Sequence, residues 1–208
     1  MEVIEWSEGH RVFLLPVVRG LESERIKVRQ AVEDSAAKVI ALSISEEELK
    51  GLDGYEGEEV PPANFEEDVY MAGLAKFGEV KKPPPCFLEA RDLAKEKGLR
   101  VEPLDMNNAD FTEAYVTNVS TLEMMSQSLA EGKLRAMRFM AKTPEGFVLE
   151  FDSTINRRKG FRQLEVAREK HMAKRLDGLV ASNEAILAVI EAERAKGARQ
   201  ALDAYLPR

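Results

Sequence analysis

The chain has 208 residues, 44% of them hydrophobic and 32% charged, with a formal net charge of -7. That length and composition suit one soluble α/β domain over residues 1–208 and exclude a disordered chain. The acidic balance disfavours nucleic acid, whose phosphates need concentrated positive charge, and no apolar run approaches the roughly 20 residues of a membrane helix.

In chain order, Arg11 to Gly20 is an apolar run closed by a proline, an arginine and a glycine. Val12 to Val18 within it predicts a strand buried on both faces, as in a parallel sheet. A helix follows, with Ser23 as N-cap and apolar residues spaced up to Ser35. Lys38 to Ser45 predicts the second strand, and Ser45 with Glu48 is a capping-box signal for a short helix. The unit is βαβ, which makes its strands parallel.

Gly51 to Ala63 contains three glycines and two prolines and reads as an exposed loop or lid. Phe65, Val69, Ala72 and Leu74 predict a helix. Another spans Phe87 to Lys97 and stops at Gly98, the residue type expected just past a helix end. Leu99 to Met106 predicts the third strand, with Pro103 placing it at an edge or an irregular end.

From Asp110 to about Lys142 apolar residues recur at three and four, which predicts two helical pieces broken at Gly132. Phe147 to Phe151 fits a strand or a helical turn. Leu164 to Leu179 predicts one long helix, and Ile186 to Ile190 is either a last strand or the start of a helix. The fold class expected is α/β: a small, mostly parallel sheet with flanking helices and a long helical insertion after the third strand, about residues 107–180. Five of the eight methionines fall between Met106 and Met140, so residues of about 111–140 are expected to form a homodimer interface.

One cysteine, Cys86, excludes an intramolecular disulfide and a multi-thiolate zinc site. With three prolines before it, Cys86 reads as an inert thiol. The two histidines, His10 and His171, share no ligand spacing, so no metal is expected; nothing in the residues names another cofactor, and none is expected. The sequon at Asn118 to Ser120 has no export signal beside it. The acidic start of the chain also lacks a signal-peptide pattern, which predicts a cytoplasmic location. Many Glu, Lys and Arg with few Asn, Gln and Cys suit a thermophile.

Several blocks together resemble the TraB/PrgY-like proteins, a superfamily that includes the TIKI proteases, the erythromycin esterase-like enzymes and the ChaN-like haem binders. They are the strand and helix at 12–34, Val39 to Ile44, Phe87 to Gly98 leading into Val101 to Asp105, and Arg168-Glu-Lys-His-Met172. The segment Ala167 to Met172 is similar to the family's Glu-Arg-Asp-x-x-Met helix and keeps Arg168, an acid at Glu169, and Met172. The family's first strand ends in Gly-Thr-Ala-His, where this chain has Pro16-Val17-Val18-Arg19. A family glutamate corresponds to Ser43, and a Gly-x-Gly-His stretch to Glu191-Ala192-Glu193-Arg194.

Under that resemblance both histidines become arginines, Arg19 and Arg194, which stay protonated and neither ligate a divalent metal nor act as bases. The implied protein is a non-catalytic, ligand-binding or regulatory relative. Its site would hold Arg19, Ser43, Asp105, Arg168, Glu169 and Arg194, with the two arginines offering forks to a small anion. Each arginine has a second reading as an ion-pair partner: Arg19 or Arg194 to Glu22, Glu191 or Glu193, and Arg168 to Asp105. Asp105 is the one candidate catalytic group, or else it caps the next helix with Asn107 and Asn108. The alternatives are a hydrolase using Asp105 or an acid of Glu46-Glu47-Glu48, and a structural homodimer without a small-molecule site.

Overall fold

A computed structural model of the chain describes residues 1–7, 9–182 and 185–206. Five strands form one sheet in the order β1-β2-β5-β3-β4: β1 Glu2–Ser7, β2 His10–Val17, β3 Val39–Leu42, β4 Arg100–Pro103 and β5 Ala185–Glu191. β1 runs antiparallel to β2, and the other neighbours are parallel. The sheet is therefore α/β and mostly parallel, as the apolar β2 and β3 runs require. Ile186 to Ile190 resolves as strand. It is inserted between β2 and β3, where both of its faces are covered and every residue from Ile186 to Glu191 is buried.

β2 shows why Pro16 is tolerated inside a central strand. Pairing with β1 ends at Leu14, so Pro16 lies where β2 has no partner on that side and no ladder hydrogen bond is forfeited. β1 is an element that the apolar periodicity does not announce. Ile4 and Trp6 are buried with Met172, Leu176 and Ala198, while Val3 is exposed. β4 is an edge strand as Pro103 implies, shortened to four residues. Beyond it the pairing persists singly, through the Leu104 N–H to Leu42 O and the Asp105 N–H to Ile44 O.

Helices cover both faces. α1 (Glu24–Ser35) and α4 (Pro85–Lys97) pack Val28, Ala31, Val32, Phe87 and Leu93 onto Phe13, Leu15, Ile40, Leu42 and Leu187. α8 (Lys159–Val180) and α9 (Ala192–Leu202) pack Met172, Leu176, Ala195 and Ala198 onto Val12, Leu14, Val39, Ile186 and Ile190. The alternation of Val12 and Leu14 with Phe13 and Leu15 feeds the two layers in turn, the period-two geometry of a strand. No helix among the described residues is long and apolar enough to cross a membrane.

Local signals mostly operate as the residues predict. Ser45 and Glu48 close a reciprocal capping box at α2 (Glu46–Asp53), and Gly98 ends α4 in the left-handed region at φ 65°. Two expectations are corrected. Ser23 occupies the N-cap position of α1 but makes no side-chain cap bond; the buried Glu24 carboxylate instead accepts the Val18 N–H at 3.3 Å. The helical insertion is not broken at Gly132, which lies inside α6 (Thr121–Leu134). The break follows α5 (Asn108–Asn118) at Val119, because Ser120 and Glu123 form a second capping box and start a new helix there.

A third apolar cluster sits over the C-terminal strand ends. α3 (Phe65–Leu74), α7 (Pro144–Ile155) and the end of α6 bring Tyr70, Leu74, Leu134, Phe147, Val148 and Phe151 onto Val18 and Leu21. Phe147 to Phe151 thus belongs to a helix. α3 and α7 approach closely because Gly73 has no Cβ: one added there would overlap the Phe147 ring. Gly73→Ala is expected to destabilise by about 1–3 kcal/mol even after the gain in helix propensity, since overpacking must displace a buried phenylalanine. Thermal unfolding measures it, and an unchanged midpoint would contradict the packing.

Candidate functional site

The parallel strands deliver their C-terminal ends to one place. Arg19 follows β2, Ser43 and Ile44 follow β3, and Glu191 ends β5 with Glu193 two residues on, in the first turn of α9. Strand ends in an open α/β sheet are where ligand crevices form. Here they open into a cavity of about 600 Å³ whose floor includes Arg19, Ile44 and Glu193. Its walls are Tyr70 from α3, Phe87 from α4 and Phe151 with Asp152 from α7. The Gly51–Ala63 segment supplies another wall through Tyr55, Glu58, Val60 and Ala63. That loop is pinned at one end by Arg91, which donates to the Leu52 and Tyr55 carbonyls. At the other, Lys82 donates to the Pro61 carbonyl at 3.2 Å.

Arg19 is held from three sides. Its Nη1 lies 3.3 Å from Glu191 Oε1, its guanidinium sits 5.7 Å from the Tyr70 ring centroid, and its carbonyl accepts the Tyr70 hydroxyl at 2.9 Å. The Glu191 carboxylate raises the Arg19 pKa further above its ordinary value. Ser43 is buried and acts through its hydroxyl, which accepts the Glu191 N–H at 3.0 Å and so fixes the end of β5 against β3.

Beside the cavity lies a chain of half-buried charge around the buried Arg194. Arg168 donates from Nε to Asp105 Oδ2 at 3.1 Å and from Nη1 to Glu165 at 2.9 Å. Arg194, 3% exposed, reaches Glu165 at 2.8 Å, Glu169 at 3.5 Å and Asp152. Asp105 also accepts its neighbour Met106 N–H. It does not cap α5, whose N-cap is Asn107. Ser43, Asp105, Arg168, Glu169 and Arg194 therefore stand together at the strand ends, but of the predicted set only Arg19 lines the cavity. The two arginines do not meet on a shared opening: each has its own carboxylates.

The network holds more acids than cations: Asp105, Asp152, Glu165, Glu169, Glu191 and Glu193 against Arg19, Arg168 and Arg194. Protons make up part of the difference. Burial, reinforced by the Glu165 charge, pushes the Glu169 carboxyl up to about 7. Burial and then the Glu191 charge do the same to Glu193. Glu165 and Glu191 are also raised by burial, against the pull of Arg168 and Arg19 respectively. Burial lowers Arg194 to about 10, still a cation at neutral pH.

The other candidate acids are engaged locally. Glu46 pairs with Lys50, Glu47 accepts the Asn108 N–H, and Glu48 closes its capping box. Among the described residues no group of three or more His, Cys, Asp or Glu side chains could hold a metal ion. Cys86 is buried, and desolvation pushes its thiol well above the usual range, so its nucleophilic thiolate is scarce.

Tyr70, Asp152 and Glu165 are the site residues that sequence patterning passes over, and Glu193 is seen there only as a pairing partner for an arginine. Each sits on a helix whose spacing marks a core face and nothing more, and only the packing of α3, α7, α8 and α9 over the strand ends brings them together. No protein-family model matches the chain, and neither does any curated protein.

Proposed function

We propose that the protein binds a small molecule in the strand-end cavity, with Arg19 among the residues that hold it. The observation that carries this reading is the cavity itself. Its volume of about 600 Å³ falls among those that enclose small organic ligands, and its mixture of aromatic walls and a few charged groups is what such sites share. The TraB-like resemblance supports the same place, since it aligns Arg19 with the family's strand-end histidine. An arginine there suits binding better than metal-dependent hydrolysis, so the protein is read as a non-catalytic, ligand-binding or regulatory relative.

A panel of small anionic, neutral and cationic aromatic compounds, followed by thermal shift, tests this. A ligand at about 100 times its Kd adds about 2.7 kcal/mol, which raises the midpoint of a chain this size by about 5–10 °C. Ala63→Trp, an exposed position on the cavity wall, is expected to abolish that shift and leave the unliganded midpoint unchanged. A panel without a stabilising compound, or equal shifts in both proteins, would overturn the reading.

A homodimer is a second proposal, favoured by the apolar surface of the helical insertion. Leu122, Met125 and Leu129 of α6 and Met140 beyond it are 61–80% exposed, and the first three recur at helical spacing on α6. Sedimentation velocity is expected to show a dimer that Leu122→Glu with Leu129→Glu dissociates. A monomer for the parent at high concentration refutes it.

A further inference from the structure

The charges around the cavity do not balance. Two cations line it, Arg19 and Lys82, against six acids. Both cations already have a partner: Arg19 has Glu191, and Lys82 lies 2.6 Å from Glu67. On the acid side Glu67 is met by Lys82 and Asp152 by Arg194. Glu48, Glu58, Glu66 and Glu193 have no cation within ion-pair distance among the described residues. Backbone or amide N–H groups satisfy the first three in part: Ser45 for Glu48, Glu56 for Glu58 and Gln127 for Glu66. Glu193 differs, because its Oε2 is fully buried and has no hydrogen-bond partner.

A carboxyl with one oxygen buried and unpaired is costly to ionise, so a positive charge on the cavity side of Glu193, which lines the cavity, stabilises it. An incoming anion would have to compete with Glu191 for Arg19 and would face an excess of acids. An incoming cation meets neither obstacle. Tyr70, Phe87 and Phe151 also line the cavity and give an apolar body something to pack against. Among the described residues a bare metal ion finds no group of three ligands, whereas an ammonium group needs only acceptors.

We infer that the ligand of this cavity is an organic ammonium compound with an apolar, aromatic-sized body, and that Glu193 is its charge partner. The inference rests on the cavity reading above and narrows it to one ligand class.

Three compounds of similar shape separate the possibilities: phenethylamine, 2-phenylethanol and 3-phenylpropionate, each titrated calorimetrically into the whole chain at about pH 8, above the point at which Glu193 ionises. Phenethylamine is expected to bind at least about tenfold more tightly than the alcohol, the factor a charge-assisted hydrogen bond supplies. Glu193→Gln is expected to remove most of that preference while leaving the alcohol's affinity in place. The comparison on the parent protein stands even if the variant folds poorly.

Tightest binding by 3-phenylpropionate would overturn the ammonium inference and leave the cavity as a site anchored by Arg19. Equal affinities for amine and alcohol would overturn it too, as would a preference that survives Glu193→Gln. Should another panel compound bind while none of these three does, the ammonium class fails and the cavity reading stands.

Discussion

Arg194→Ala is expected to cost about 3–5 kcal/mol, the penalty for breaking a buried ion pair from one side and a large share of the stability of an ordinary domain. Arg194 is 3% exposed and is the one cation shared by Asp152, Glu165 and Glu169. Without it, Asp152 and Glu169 lose their cation, and Glu165 keeps only Arg168, which it shares with Asp105. Asp152 and Glu169 must then be solvated, by opening the α7–α8–α9 junction, or protonated. Arg194→Lys restores the charge but not the planar fork that spans three partners, so a partial rescue is expected. Urea unfolding of the three proteins at constant slope measures this. A loss below about 1 kcal/mol for the alanine variant would mean that the carboxyls are protonated with the arginine in place, and the network would not be ionic.

The position of Arg194 also shows where sequence reasoning reaches its limit. That a basic residue follows β5 is legible, because Ile186 to Ile190 is apolar and stops at a run of charge. Whether that residue faces an opening or the interior is set by α7 and α8, which lie over the strand ends and carry Asp152, Glu165 and Glu169. Their register on the sheet is a tertiary fact with no local signature. Arg168 and Asp105 show the contrasting case: an acid at a strand end and an arginine on a long helix are few enough for their pairing to be anticipated.

The same division holds for the fold. β2, the Ser45 cap and the Gly98 stop are readable because each depends on its own few residues. β1 is not, since two buried side chains, Ile4 and Trp6, are its whole amphipathic signal. Gly132 misleads because a glycine only weakens a helix by about 1 kcal/mol, whereas Ser120 with Glu123 starts a new one.

Stability is expected to fall as pH rises from about 6 to 8, opposite to the usual trend for a protein held by salt-bridged acids. Glu169 and Glu193 ionise near 7 in the folded chain, against the ordinary 4.5. Between those values the folded state holds protons that the unfolded chain has released. Linkage then makes the stabilisation complete below about 4.5 and lost as pH rises through about 7. For a shift of this size each group forfeits about 1 kcal/mol between pH 6 and pH 8; Glu165 and Glu191 are raised by burial as well. Glu47, Glu67, Glu123 and Glu145 are held below 4.5, chiefly by backbone hydrogen bonds, and oppose the trend only in stronger acid; His171, lowered by burial from the ordinary 6.5, works against it at the acid end of the window. Glu193→Gln should therefore be more stable than the parent at pH 8 and flatter across the window, because a neutral amide replaces a carboxylate that burial penalises. Denaturant unfolding at both pH values decides it: a parent protein most stable at pH 8 would place these carboxyls in the ionised state and assign the charge excess at the strand ends to solvent rather than to bound protons.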